Sequence, residues 1–133
     1  MSSTWYIAKE YLKRLELSFE EHERKTFSLS PYGATETKQI EVFPGDNWVT
    51  LTTKLMDISD LKSKDRSNIC EKLLRTNAKL VEISFGIDKN GFIVLRNAVP
   101  VNGISYDSFS SIYEAHLSGI EFFHENLKKS IVE

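Results

Sequence analysis

Apolar and polar positions divide the chain into stretches of two different periods. From Trp5 the apolar residues Trp5, Ala8, Leu12, Leu15 and Phe19 step by three and four, which predicts an amphipathic helix that Ser3 or Thr4 can cap. A polar break, EEHERK from Glu20 to Lys25, separates this helix from the alternating run Thr26-Phe-Ser-Leu29, a short strand ended by Pro31 and Gly33. The stretch that follows, Ala34-Thr-Glu-Thr37, has no period and is expected to be the loosest connection of the chain.

A hairpin comes next, because KQIEVF and WVTLTTKL flank the turn residues Pro44-Gly-Asp-Asn47. With those four as the loop, Val42 faces Val49 and Ile40 faces Leu51 on one apolar face. The other face carries Gln39, Glu41, Thr50 and Thr52, and near the turn the aromatic pair Phe43 and Trp48. A second helix is predicted from about Ser63 or Asp65 to Asn77, where Ile69, Cys70, Leu73 and Leu74 make a narrow apolar stripe among Lys64, Arg66, Glu71, Lys72 and Arg75.

The last hairpin is centred on Asp88-Lys-Asn-Gly91, which suits a type I turn with Gly91 in the left-handed conformation. That register pairs Ile87 with Ile93 and Phe85 with Leu95. After the turn Phe92, Ile93, Val94 and Leu95 run without a polar break, so Phe92 and Val94 form an extra apolar patch on the face opposite Ile93 and Leu95. Pro100 ends the strand, and a final helix is expected after Ser105 or Asp107, with Ser111 and Glu114 able to pair as a local cap. Its stripe is Phe109, Tyr113, His116, Ile120, Phe123 and Leu127. The element order is therefore helix, three strands, helix, two strands, helix.

Composition narrows the function classes. A 133-residue chain with 41% apolar and 27% charged residues suits one domain spanning residues 1–133. A formal net charge of −2 without a basic cluster lacks the electrostatic footprint of nucleic-acid binding. Cys70 is the lone cysteine and has no partner for an internal disulfide. The opening SSTWYIAKE lacks the basic start and apolar core of a signal peptide, and no stretch approaches the roughly 20 apolar residues of a membrane span, so a cytoplasmic protein is expected.

The segment LLRTNAKLVEISFGIDKNGFIVLRNAVPVNGISYDSF resembles the YbjN domain family, whose members share a fold with the type III secretion chaperones. The likeness lies in a helix ending in Leu73-Leu74 and Asn77, a strand, the Asp88 to Gly91 turn, a strand with Leu95-Arg96 and Val99-Pro100, then Gly103 leading into a long helix. It holds in order and spacing over about the last 65 residues, and the first half agrees in element order. The resemblance implies an α+β fold: a five-stranded antiparallel sheet in the order α-β-β-β-α-β-β-α, the first and last helices on one face and the middle helix elsewhere, often at a dimer interface. It also implies a small homodimer that binds other proteins in extended form, by exposed apolar patches and sheet edges, with no covalent chemistry.

Reaction chemistry finds little support in the residues. His116 and His124 stand eight apart on one helix, too far to grip one metal, and HENLK at His124 is not the HExxH zinc signature. His116 is expected to pack on the helix stripe, and Cys70, flanked by Ile69 and Leu73, to be a small core or interface residue. Asp88 to Gly91 lacks the later ligands of a calcium loop, with Asn97 where a Glu is needed. Glycine-rich phosphate loops and nucleophile elbows are missing from the sequence, and pairs such as Glu20/Glu21 and Asp57/Asp60 suit solvated surface. Neither a metal nor a cofactor is implied.

Phe43 and Trp48 can be read in two ways, as anchors for a partner or as residues covered by the middle helix or a second copy. The candidate partner-binding or dimer-face residues are Phe43, Trp48, Ile69, Leu73, Leu74, Phe92 and Val94. They point to a dimeric, non-enzymatic, chaperone-like or regulatory module with a protein partner. The rival is a small enzyme or ligand-binding protein whose pocket lies between the sheet and the first and last helices, marked by a polar cluster with shifted ionisation.

Overall fold

The computed structural model of the protein describes residues 3–23, 25–31 and 39–128. Its elements are α1 (Ser3–Arg14), β1 (Phe19–His22), β2 (Thr26–Leu29), β3 (Ile40–Pro44), β4 (Trp48–Asp57), α2 (Ser63–Asn77), β5 (Ser84–Ile87), β6 (Phe92–Pro100) and α3 (Tyr106–Phe122). The six strands form one antiparallel sheet in the order β1-β2-β3-β4-β6-β5. The connection expected through residues 34–37 lies outside the described residues.

The sheet has one strand more than the sequence pattern predicts, and the reason lies in how α1 stops. Its stripe breaks after Leu12 because Glu16 takes a left-handed backbone, φ 58°, with Glu16 N donating to Lys13 O and Leu17 N to Leu12 O. Those two bonds make a Schellman ending that normally carries glycine at the left-handed position. Phe19 consequently opens β1 instead of closing a helix, and Glu20, Glu21 and His22 of the expected polar break are strand residues. Phe19 pairs with Leu29 and His22 with Thr26, and Lys25, at φ 65°, closes the turn through its N–H to His22 O.

The hairpin of β3 and β4 also differs in register. Val42 sits opposite Leu51 and Pro44 opposite Val49, the turn being closed by Gly45 N to Trp48 O at 2.9 Å. Each expected pair is displaced by two positions, an even number, so the apolar set stays on the core face. The last hairpin has the expected register, Phe85 with Leu95 and Ile87 with Ile93. Asp88 Oδ1 accepts from Asn90 N and Phe92 N, and Gly91 sits at φ 86°. Gly91→Ala will cost about 1 kcal/mol in denaturant titrations, whereas Gly86→Ala, with open space where its Cβ would stand, will stay within about 0.5 kcal/mol of the parent.

One face of the sheet is covered. Ile40, Val42, Val49, Leu51, Ile93 and Leu95 are buried beneath Ala8 and Leu12 of α1 and the α3 stripe of Phe109, Tyr113, His116 and Ile120. Ser105 caps α3 in a reciprocal capping box with Ser108, so the expected cap at Ser111 and Glu114 is replaced by a pair one turn and more upstream. The stripe continues through a π-helical stretch, Phe123–Lys128, in which Phe123 and Leu127 are buried.

The middle helix α2 lies at the β5 end of the sheet. Ile69 and Leu73 enter the same core, Cys70 is half-buried, and Leu74 is exposed. Asn77, the last residue of α2, reaches the backbone of β5: its Nδ2 donates to Phe85 O and its Oδ1 accepts from Phe85 N, both at 2.8 Å.

Candidate protein-binding face

The opposite face of the sheet has no helix over it among the described residues. Alternation of side chains along a strand places Glu41 and Phe43 of β3, Trp48, Thr50, Thr52 and Lys54 of β4, Val94, Arg96 and Ala98 of β6, and Ser84 and Gly86 of β5 on this face. Strand pairing arranges them in rows across the sheet. One row runs Glu20, Ser28, Glu41, Thr52, Arg96, Ser84, and the next holds Phe43, Thr50 and Ala98.

Phe43 is 44% exposed and Trp48 53%, so the middle helix does not cover them. The two rings flank a shallow cavity of about 600 Å³ lined also by Thr50, Ser84, Arg96 and Ala98. A further depression of about 490 Å³ continues along Gly86, Val94 and Lys54. Phe92 and Val94, the patch expected from the unbroken apolar run, are half-buried, and Lys54 accounts for part of that cover: its Nζ rests 4.9 Å from the centre of the Phe92 ring. Of the α2 candidates Leu74 alone offers an exposed side chain; Ile69 and Leu73 hold the helix to the core.

The charges on this face are segregated. Glu41, with Glu20 beyond it, occupies the β1–β3 side, and Arg96 the β6 side. Glu41 Oε1 accepts a hydrogen bond from Ser28 Oγ at 3.0 Å, and Ser28 Oγ stands 2.6 Å from His22 Nε2. Arg96 is exposed and forms no ion pair among the described residues. The aromatics of this face are visible in the local sequence pattern, whereas the opposition of Glu41 and Arg96 is not, since it follows from the order in which the strands assemble.

The place expected of a rival pocket, between the sheet and the first and last helices, holds a closed polar cluster. His116 is fully buried, with Nε2 at 2.7 Å from Thr53 Oγ1 and Nδ1 at 3.1 Å from Asn97 Oδ1. Asn97 Nδ2 donates to Ile112 O at 2.8 Å, which turns its Oδ1 towards the imidazole. The ring therefore carries its proton on Nδ1 and accepts the Thr53 hydroxyl at Nε2, and burial pushes its pKa down from 6.5 to about 4. Ionisation is shifted, as the rival reading requires, but each polar atom of the imidazole has a protein partner, and the ring is sealed from solvent. Thr53 in WVTLTTKL and Asn97 in FIVLRNAVP stand at inward positions of their strands, a polar signal that could have located the cluster from sequence. Among the described residues no group of three or more His, Cys, Asp or Glu could hold a metal ion, and no helix is long and apolar enough to cross a membrane.

Comparison with known proteins gives one family match: the family model CesT_Tir_1 covers residues 1–128. No curated protein matches the sequence. Among solved structures, the Yersinia pestis type III secretion chaperone SycH in complex with a stable fragment of YscM2 aligns at 14% identity, TM-score 0.61, over 89% of this chain and 97% of that one. YbjN from E. coli aligns at 16% identity, TM-score 0.68, over 87% and 86%. The ExsC-ExsE complex aligns at 19% identity, TM-score 0.69, over 96% and 97%. These likenesses establish a common fold.

Proposed function

The chain belongs to the CesT_Tir_1 family, and on that basis we propose that it is a non-enzymatic, protein-binding module of chaperone-like or regulatory type that works as a small homodimer. The observation that carries this reading is the open sheet face, on which Phe43 and Trp48 stand exposed among Thr50, Arg96 and the half-buried Ala98. Two large aromatic rings left in water beside a shallow depression are the anchor type found at the centre of protein interfaces. SycH and ExsC-ExsE, similar in fold, were each solved as complexes with a protein partner. Val94, Phe92 and the exposed Leu74 extend the candidate surface, while Ile69 and Leu73 act from inside by fixing α2.

Light scattering across about a hundredfold range of concentration tests the reading, because an interface of standard size holds two chains together at micromolar levels. The expected result is a particle of twice the 15.3 kDa chain mass. Trp48→Glu will weaken the association by roughly thirtyfold or more, the cost of losing an interface anchor. Its far-UV circular dichroism and thermal midpoint will stay close to the parent's, since the side chain is half in solvent. A particle that stays monomeric over the whole range overturns the homodimer.

A further inference from the structure

The apolar stripe of α3 does not by itself decide where the helix sits along the sheet. Phe109, His116 and Phe123 recur every seven residues, as do Tyr113, Ile120 and Leu127, so a slide by one or two turns sets one stripe residue where another stood. We infer that His116, Thr53 and Asn97 form a register key, which admits one seat of α3 on the sheet and rejects the apolar alternatives.

The key is built from both sides of the boundary between helix and sheet. Thr53 of β4 and Asn97 of β6 are buried, and they bring a hydroxyl and an amide oxygen to neighbouring strands beneath α3. His116 meets the first through Nε2 and the second through Nδ1, and Asn97 Nδ2 donates to Ile112 O, one turn back on the helix. One turn away, Ile120 or Tyr113 would take the seat: Ile120 has no polar atom to offer, and Tyr113 has one hydroxyl for two partners. Two turns away a phenylalanine ring would leave both partners bare. Each buried group left unpaired makes such a seat rarer by roughly tenfold or more. A single polar residue in a buried apolar seam fixes the register of coiled coils by the same means.

Gly119 marks the same seat without polarity. A Cβ there would stand 2.7 Å from the side chains of Ile83 and Leu95, so α3 lies tightest on the sheet at the residue that has no side chain. A slide of one turn would bring Ala115 or Phe123 to that contact. In the observed seat Phe123 instead reaches Phe85 of β5, with 6.2 Å between ring centres.

The test compares the parent with Thr53→Val and with the triple variant Thr53→Val/Asn97→Leu/His116→Leu, by NMR of the α3 amides. The parent will give one signal for each residue, with flat relaxation-dispersion profiles. Thr53→Val removes one bond and almost no volume, and it will raise the population of displaced seats roughly tenfold, seen as exchange broadening along α3. The triple variant replaces every member of the key by an apolar group, so its thermal midpoint will stay near the parent's while its α3 signals divide into several sets. Flat profiles in Thr53→Val, or a single sharp set in the folded triple variant, overturn the key. If the triple variant does not fold, the dispersion of Thr53→Val decides alone.

Discussion

Truncating Phe27 to alanine will destabilise the fold by about 3–5 kcal/mol, the range for removing a fully buried aromatic side chain. Phe27 has no exposed surface, and it joins three elements at once. Its ring stacks on Trp5 of α1 at 5.4 Å between centroids and meets Phe19 of β1 edge-on at 5.6 Å, while its backbone position in β2 is opposite Val42 of β3. Taking the ring away leaves a void that the stiff sheet beneath cannot fill, so transfer and cavity costs add. Urea unfolding followed by tryptophan fluorescence measures the loss directly, with Trp5 as a local reporter. A loss below about 1 kcal/mol would mean that the cluster relaxes freely and that β1 is not fastened to α1 through this ring.

Acidification will act through His116. In the unfolded chain the imidazole takes its proton near the ordinary value of 6.5, and in the folded chain only near 4. Between those values the unfolded state binds more protons, so stability falls as the pH drops from about 6.5 to about 4, and this contribution is flat outside that window. The full span corresponds to roughly 3 kcal/mol, from about 1.4 kcal/mol for each pH unit separating the two states. Asp57, whose carboxylate accepts from Ser59 N and Oγ, is held below its usual 3.8, so its contribution is lost only at still lower pH. Denaturant titrations at several pH values will show the slope in the parent and its loss in His116→Gln. An equal slope in that variant would assign the acid sensitivity to other groups.

Most of the fold can be read from hydrophobic spacing. The stripes of α1 and α3, the bounds of α2 and the pairing of β5 with β6 follow from period and turn chemistry. The sixth strand does not, and two pairs of sites show why. The turns from His22 to Thr26 and from Asp88 to Phe92 share one design, a residue of left-handed backbone closing a three-residue loop. Gly91 announces the second, whereas Lys25 fills the same conformation in the first and carries no such marker. Glu16 hides the end of α1 in the same way. The open face is partly legible: the exposure of Phe43 and Trp48 is one of two readings open in the sequence. The segregation of Glu41 from Arg96 depends on β6 being inserted between β4 and β5, an arrangement that no local pattern encodes.

The two bonds from Asn77 to Phe85 have a consequence for any extended segment that would lengthen the sheet. Phe85 N and O point away from β6, to the outer side of the β5 edge, where an added strand would look for its first partners. Asn77 holds both, imitating a neighbouring backbone with one side-chain amide. Growth of the sheet on that flank would have to peel the end of α2 from its strand. The opposite flank is β1, of sequence FEEH, with Glu20, Glu21 and His22 exposed and Glu21 tied to Lys9 of α1. The sheet therefore has two unlike borders, one locked by an amide and one lined by acid, and positive charge on an added strand would be favoured at the acidic border alone.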